Sequence, residues 1–186
     1  DISAGLSATQ SLLREELTAD LAKTEDLVIH YRVGDIFGVS PHSAYGPPPH
    51  SFFELVAQHL SPSKIRVIAE DFSDELTVSL IDRLSQSAPV VAQPMGLFED
   101  VRLIMAGRSL AISVGTFGLT IAGLSRNLHS LYQFDEAPLI TIEKRKILTV
   151  RDYVGNYVRD IRRNNWTNSD GQRDLVVNYS IKNLSL

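Results

Sequence analysis

At 186 residues, 44% of them apolar and 22% charged, the chain can fill one ordinary globular core and is too short for two large ones. Its 18 Lys and Arg against 22 Asp and Glu leave a net charge of −4, which supplies no global field for nucleic acid or an anionic membrane. The absence of Cys excludes disulfides and thiolate zinc sites, and no apolar run approaches the ~20 residues of a membrane-spanning helix.

Taken in chain order, the apolar spacing switches between helical and extended periods. Leu13, Leu17 and Leu21 fall four apart and predict an amphipathic helix. "LVIHYRV", residues 27–33, reads as a strand, and "YGPPPH" as a loop. Ser51 and Glu54 have capping-box spacing and predict the start of a helix that carries Leu55, Val56, His59 and Leu60. "KIRVIAE" is the next strand, and "SDELTVSLIDRLSQ" the next helix, with Leu76, Leu80 and Leu84 on one stripe. "APVVA" reads as a short strand, "FEDVRLIMAGR" as a helix, "SLAISVG" as a strand, "FGLTIAGLSRN" as a helix and "HSLYQF" as a further strand. "TVRDYVGNYVRDIRR", 149–163, predicts a helix with Tyr153, Val154, Tyr157, Val158 and Ile161 on its apolar stripe, and "DLVVNYSI" a final strand.

Repeated β-α units imply an α/β domain with a doubly wound, mostly parallel, Rossmann-like sheet covering residues 1–186. The chain opens on Asp1 and reads as part of a longer one. Asn165-Trp-Thr, Asn178-Tyr-Ser and Asn183-Leu-Ser fit the N-glycosylation pattern, whereas a Cys-free chain suits a reducing compartment, so localisation stays open between cytoplasm and a lumen.

In open α/β sheets ligands bind outside the carboxyl ends of the strands. With period two, His30 and Arg32 share one face of the first strand, and Ile29, Tyr31 and Val33 share the other. Gly34 then lets the chain turn. Arg32 can offer its planar fork to a phosphate, or it can pair with Asp35 and close the strand end. Gly115-Thr-Phe-Gly118 joins a strand to a helix and is either a second anion cradle or an ordinary βα turn. It lacks the P-loop lysine and the GxGxxG pattern, so neither a kinase nor a dinucleotide fingerprint is supported.

The acidic residues Glu70, Asp71, Asp74 and Glu75 span a strand end and a helix start, where carboxylates favour the helix dipole, and no metal is expected there. His42 and His50 flank the proline loop and read as solvated. No G-x-S-x-G elbow is present, so covalent hydrolase chemistry is unsupported. Arg151, Arg159, Arg162 and Arg163 give the late helix a basic, solvated side.

"VIHYRVGD" resembles the H-x-R-R-G-D segment of glycosyltransferase family 11, the inverting α-1,2-fucosyltransferases, and "FEDVRLIMAGRSLAISVGTFG" is similar to that family's late segment. The resemblance covers roughly residues 25–135, with the two motifs in the family's order. It implies the C-terminal, donor-binding half of a GT-B enzyme, working on GDP-fucose or a related sugar nucleotide and a glycan acceptor without a metal cofactor. Arg32 would then grip the β-phosphate, His30 lie beside the nucleotide, Asp100 recognise guanine, and Thr116 and Phe117 contact phosphate and ribose. Asp35 is the candidate for a catalytic role near the phosphate or for orienting Arg32. The family's second arginine is Val33 here, which leaves the sugar open and keeps a non-catalytic nucleotide-sugar-binding domain as the alternative.

Overall fold

The computed structural model describes residues 24–135 and 145–186. The helix expected around Leu13, Leu17 and Leu21 lies outside the described residues. The elements, in chain order, are β1 (Thr24–His30), α1 (His50–Leu60), β2 (Ile65–Ile68), α2 (Glu75–Leu84), β3 (Val90–Ala92), α3 (Leu97–Ala106), β4 (Gly107–Ile112), α4 (Phe117–Leu124), β5 (Ser130–Phe134), β6 (Lys146–Asp152), α5 (Asn156–Ile161), α6 (Asp170–Asn178) and β7 (Leu184–Ser185). The strands form one seven-stranded sheet in the order β3-β2-β1-β4-β5-β6-β7, parallel throughout except for the β6/β7 pair. This is the doubly wound α/β architecture that the alternating periods predict.

Because β1 lies inside the sheet between β2 and β4, both of its faces are buried, and the period-two alternation sorts its side chains between two cores. Leu27, Ile29, Tyr31 and Val33 join one core with Phe52, Phe53 and Val56 of α1, Leu76, Leu80 and Leu84 of α2, Tyr157, Val158 and Ile161 of α5, and Val176 of α6. Val28 faces the other way and packs with Val101, Ile104 and Met105 of α3, Leu110 and Ile112 of β4, and Leu119 and Ala122 of α4. Fully burying each Leu, Ile or Phe contributes about 1.5–3 kcal/mol, which fixes the register of β1, since a one-residue slip would exchange the two sets. The predicted stripe of Leu76, Leu80 and Leu84 is buried as expected.

The helix start at Ser51 differs from the expected capping box. The helix begins two residues earlier than that box requires, at His50 with Pro49 as N-cap, and Ser51 is fully buried in its first turn with an unpartnered hydroxyl. Glu54 is unavailable to reach back, because Arg83 of α2 donates to its Oε1 at 2.7 Å. His50 is likewise a core residue rather than a solvated one: it is fully buried, and its Nε2 lies 3.3 Å from the Tyr31 hydroxyl.

Two further elements differ near the C-terminus. The helix predicted from Thr149 starts only at Asn156, because β6 runs on to Asp152, its residues through Val150 pairing with β5 and Arg151 and Asp152 with β7. Buried Asp152 then makes the transition. Its carboxylate accepts from the backbone N–H groups of Gly155, Tyr157 and Val158 at 2.9–3.2 Å and from the Tyr179 hydroxyl at 2.7 Å, satisfying the free donors of the new helix. Tyr153 and Val154 fall in the turn and are exposed, whereas Tyr157, Val158 and Ile161 are buried as the stripe requires. "DLVVNYSI" carries a strand-like Val-Val pair, yet Asp174–Asn178 belongs to α6. Gln172 ties down the approach to this helix, accepting from the Thr167 N–H and hydroxyl and donating to the carbonyls of Asp160 and Asn165. Tertiary contacts thus override local β-propensity.

Burial lowers the pKa of His50 to about 3, with the charge of Arg83 adding to the effect. The unfolded chain binds this proton near pH 6.5 and the folded chain resists it, so His50 costs no stability above pH 6.5 and an increasing amount as the pH falls toward about 3. Urea-unfolding midpoints are expected to decline over that window. In His50→Phe the decline should be shallower, because the variant has no proton to bind at this position.

Candidate functional site

Reversal of the winding direction at β1 and β4 places a crevice between their carboxyl ends. His30 is in register with Ile68 of β2 and with Ile112 of β4, so the segments leaving all three strands emerge side by side. They bound a cavity of about 540 Å³, lined by His30 and Arg32 after β1, Ile68 to Glu70 at the end of β2, Pro94, Met95, Leu97 and Asp100 around the start of α3, and Val114 to Phe117 between β4 and α4. The size falls in the range of small-ligand sites. His30, Arg32, Asp100, Thr116 and Phe117 therefore meet around one cavity, although Arg32 and Thr116 are 84 positions apart in sequence.

Arg32 pairs with Asp35 and still faces the cavity. Its Nε and Nη2 donate to the two Asp35 oxygens at 3.2 and 2.7 Å, a fork-to-fork pair, and the Tyr45 ring lies under the guanidinium at 4.3 Å. Nη1 is left over. It lies against Gly115, where an added Cβ would come within 2.6 Å of it. Gly115 has φ +98°, a backbone conformation that glycine adopts without a Cβ penalty. The same residue thus turns the chain into α4 and admits the guanidinium to the cavity wall. The Arg32 hydrogen bonds hold the Asp35 carboxyl below the usual carboxylate range.

The two readings of Arg32, pairing with Asp35 and presenting a donor to an anion, are consequently compatible. The pair occupies one edge of the guanidinium and leaves the other. Thr116 and Phe117 begin α4, whose first backbone N–H groups have no partner within the helix and whose dipole end is positive. The Phe117 ring lies 5.1 Å from that of His30. Burial, with Arg32 nearby, lowers the His30 pKa to about 4, so its imidazole is neutral at physiological pH and can both donate and accept.

Asp100 occupies the first turn of α3, half-buried beside Glu99. Burial, assisted by the Glu99 charge, raises its pKa. Asp35 stands outside the lining, behind Arg32.

The acidic stretch after β2 separates in the structure. Asp71 accepts from the Ser73 N–H and hydroxyl, and Asp74 caps α2 by accepting from the Leu76 N–H at 2.8 Å. Asp74 follows the dipole reading, whereas Asp71 closes a local turn ahead of the helix. Glu70 does neither, since it lines the cavity and its Oε2 rests over Gly34, where a Cβ would approach to 2.8 Å. In the sequence Glu70 groups with its acidic neighbours; its position two residues past the end of β2 is the signal that distinguishes it. Pro94, Met95 and Leu97 are also lining residues that no motif flags. Among the described residues, no group of three His, Asp or Glu side chains is arranged to hold a metal ion.

No protein-family model matches the chain, and no curated protein matches it. Among solved structures, the ADP-heptose LPS heptosyltransferase II of E. coli is similar over 76% of this chain and 42% of its own, with 17% identity and a TM-score of 0.43. The chain thus spans less than half of that protein, and a likeness at this level assigns neither family nor function.

The close approach of Gly115 and Arg32 generates a direct test. Gly115→Ala is expected to cost about 1–2 kcal/mol in urea unfolding, chiefly from the positive φ, because the contacted Nη1 is a movable side-chain tip. Most of that loss should persist in the Gly115→Ala/Arg32→Ala double variant. Full recovery in the double variant would show that the contact, and not the backbone, dominates.

Proposed function

We propose that the chain is the donor-binding domain of an inverting glycosyltransferase and takes a GDP-sugar in the cleft between β1 and β4. The observation that carries this reading is the convergence, on one cavity, of the unoccupied Nη1 edge of Arg32, the start of α4 at Thr116 and Phe117, and the carboxylate of Asp100. The motif resemblance to fucosyltransferases supports the same assignment of residues. A nucleoside diphosphate offers the complementary groups: an anion for Arg32 and the α4 amides, and a base edge for Asp100.

In this reading Arg32 donates to the β-phosphate, and Thr116 with the first amides of α4 donates to the same diphosphate. Asp100 accepts from the ring N–H and exocyclic amine of guanine, a donor pair that uracil lacks. Neutral His30 lies alongside the nucleotide. As the bond from the anomeric carbon to the diphosphate oxygen breaks, charge growing on GDP meets Arg32 and the helix dipole, which are already in place. The acceptor hydroxyl forms its bond from the opposite face of the sugar and gives up its proton to a base.

Asp35 acts here as a positioning residue: both of its oxygens are engaged by Arg32, and its lowered pKa makes it a weak proton acceptor. Fucose is the sugar that the resemblance points to. Val33, at the position of the family's second arginine, is buried among Tyr31 and the α1 core and contributes packing in place of charge.

GDP is expected to raise the melting temperature clearly and UDP much less; equal shifts with both, or none with either, would overturn the guanine site. Arg32→Ala should weaken GDP binding by about 2–3 kcal/mol and cost at most ~1 kcal/mol of stability, because the Arg32–Asp35 pair is partly exposed. Arg32→Lys should restore part of the affinity, keeping charge and losing the fork. An Arg32→Ala protein that binds GDP like the parent would remove the reading.

A further inference from the structure

We infer that Glu70 reads the ribose of the bound nucleotide, accepting hydrogen bonds from its 2′- and 3′-hydroxyls. The inference deepens the donor-binding reading and rests on it. The order β3-β2-β1-β4 makes the cavity wall a linear sequence of strand ends. Asp100 follows β3, Glu70 follows β2, Arg32 follows β1, and Thr116 follows β4. With neighbouring strands 4.7–4.9 Å apart, the span from β3 to β4 is about 14 Å, comparable to an extended nucleoside diphosphate. A base at Asp100 and a diphosphate between Arg32 and Thr116 leave the sugar above the end of β2, where Glu70 stands.

The chemistry of that position selects the same group. A carboxylate only accepts hydrogen bonds and repels phosphate, so within an anion-binding cavity it needs a partner that only donates to it. A vicinal diol supplies two O–H groups at the spacing of two carboxylate oxygens, and an acidic residue placed in this way is the ribose contact of Rossmann-type sites. Glu70 is also free to act. Asp71 and Asp74 are committed to Ser73 and Leu76, whereas the Glu70 carboxylate has no hydrogen-bond or ion-pair partner among the described residues. Gly34, at φ +70°, gives it the space to fold toward the cavity.

Equilibrium titration of the parent chain, Glu70→Ala and Glu70→Gln with GDP, 2′-deoxy-GDP and 3′-deoxy-GDP tests this. The parent should bind GDP about tenfold more tightly than either deoxy analogue, as expected for hydrogen bonds to a charged acceptor. Glu70→Ala should lose about tenfold for GDP and little for the analogues, bringing the ratio near one, with Glu70→Gln in between. Arg32→Ala should weaken all three alike and preserve the ratio. A parent that binds GDP without discriminating, or a Glu70→Ala protein that keeps the parental ratio, would overturn the role of Glu70 and leave the donor-binding reading standing. A parent that does not bind GDP would overturn that reading itself and the ribose contact with it. Glu70 is exposed, so its substitution should leave the fold intact, and melting temperatures of the variants check this.

Discussion

The parallel pairing of β1 with β4 is the constraint on which the rest of the molecule depends. It joins residues some 80 positions apart, with His30 beside Ile112 and Ile29 beside Ala111, and makes β1 an interior strand with both faces covered. Helices then diverge to opposite sides of the sheet. The gap at the carboxyl ends of these two strands is therefore a consequence of chain direction, and any side chain placed just after either strand borders it.

Holding the cleft residues in place falls to a part of the chain remote from them in sequence. The segment after β1, which carries Asp35 and Tyr45, is fastened by the C-terminal third. The Trp166 indole donates to the Ile36 carbonyl at 2.7 Å, the Tyr157 hydroxyl to that of Pro47 at 2.9 Å, and Arg162 to that of Gly46 at 2.8 Å. Trp166 and Tyr157 are buried, so these contacts combine apolar burial with satisfied polar atoms. By fixing the loop, they fix the Asp35 carboxylate and the Tyr45 ring that together orient the Arg32 guanidinium. A phosphate-sized anion meeting that guanidinium would find it already aimed, without the entropy loss of ordering a free arginine.

The cleft is electrostatically graded. Positive charge and helix amides gather at the β1/β4 end, a neutral imidazole lies beside them, and the carboxylates of Glu70 and Asp100 stand toward β2 and α3. Burial keeps His30 uncharged, which avoids a second cation beside Arg32. The chain's net negative charge coexists with this local positive end, which Arg32 and the first amides of α4 form.

Much of this was legible in the chain itself, wherever the information is local. The polarity break at His30 and Arg32 after an apolar run, the glycine turns, and the helix stripe of Leu76, Leu80 and Leu84 depend on period and residue type, and the sheet keeps those periods. Tertiary structure decided what depends on distant partners. Thr149 to Asp152 became strand because β5 and β7 offered edges to pair with, Asp174 to Asn178 became helix because Gln172 and the Val176 contact outweighed β-propensity, and His50 went into the core because Tyr31 packs against it there. Glu70 parted from its acidic neighbours for the same reason: its place at the cleft is set by the pairing of β2 with β1, which no spacing within "AEDFSDE" can express.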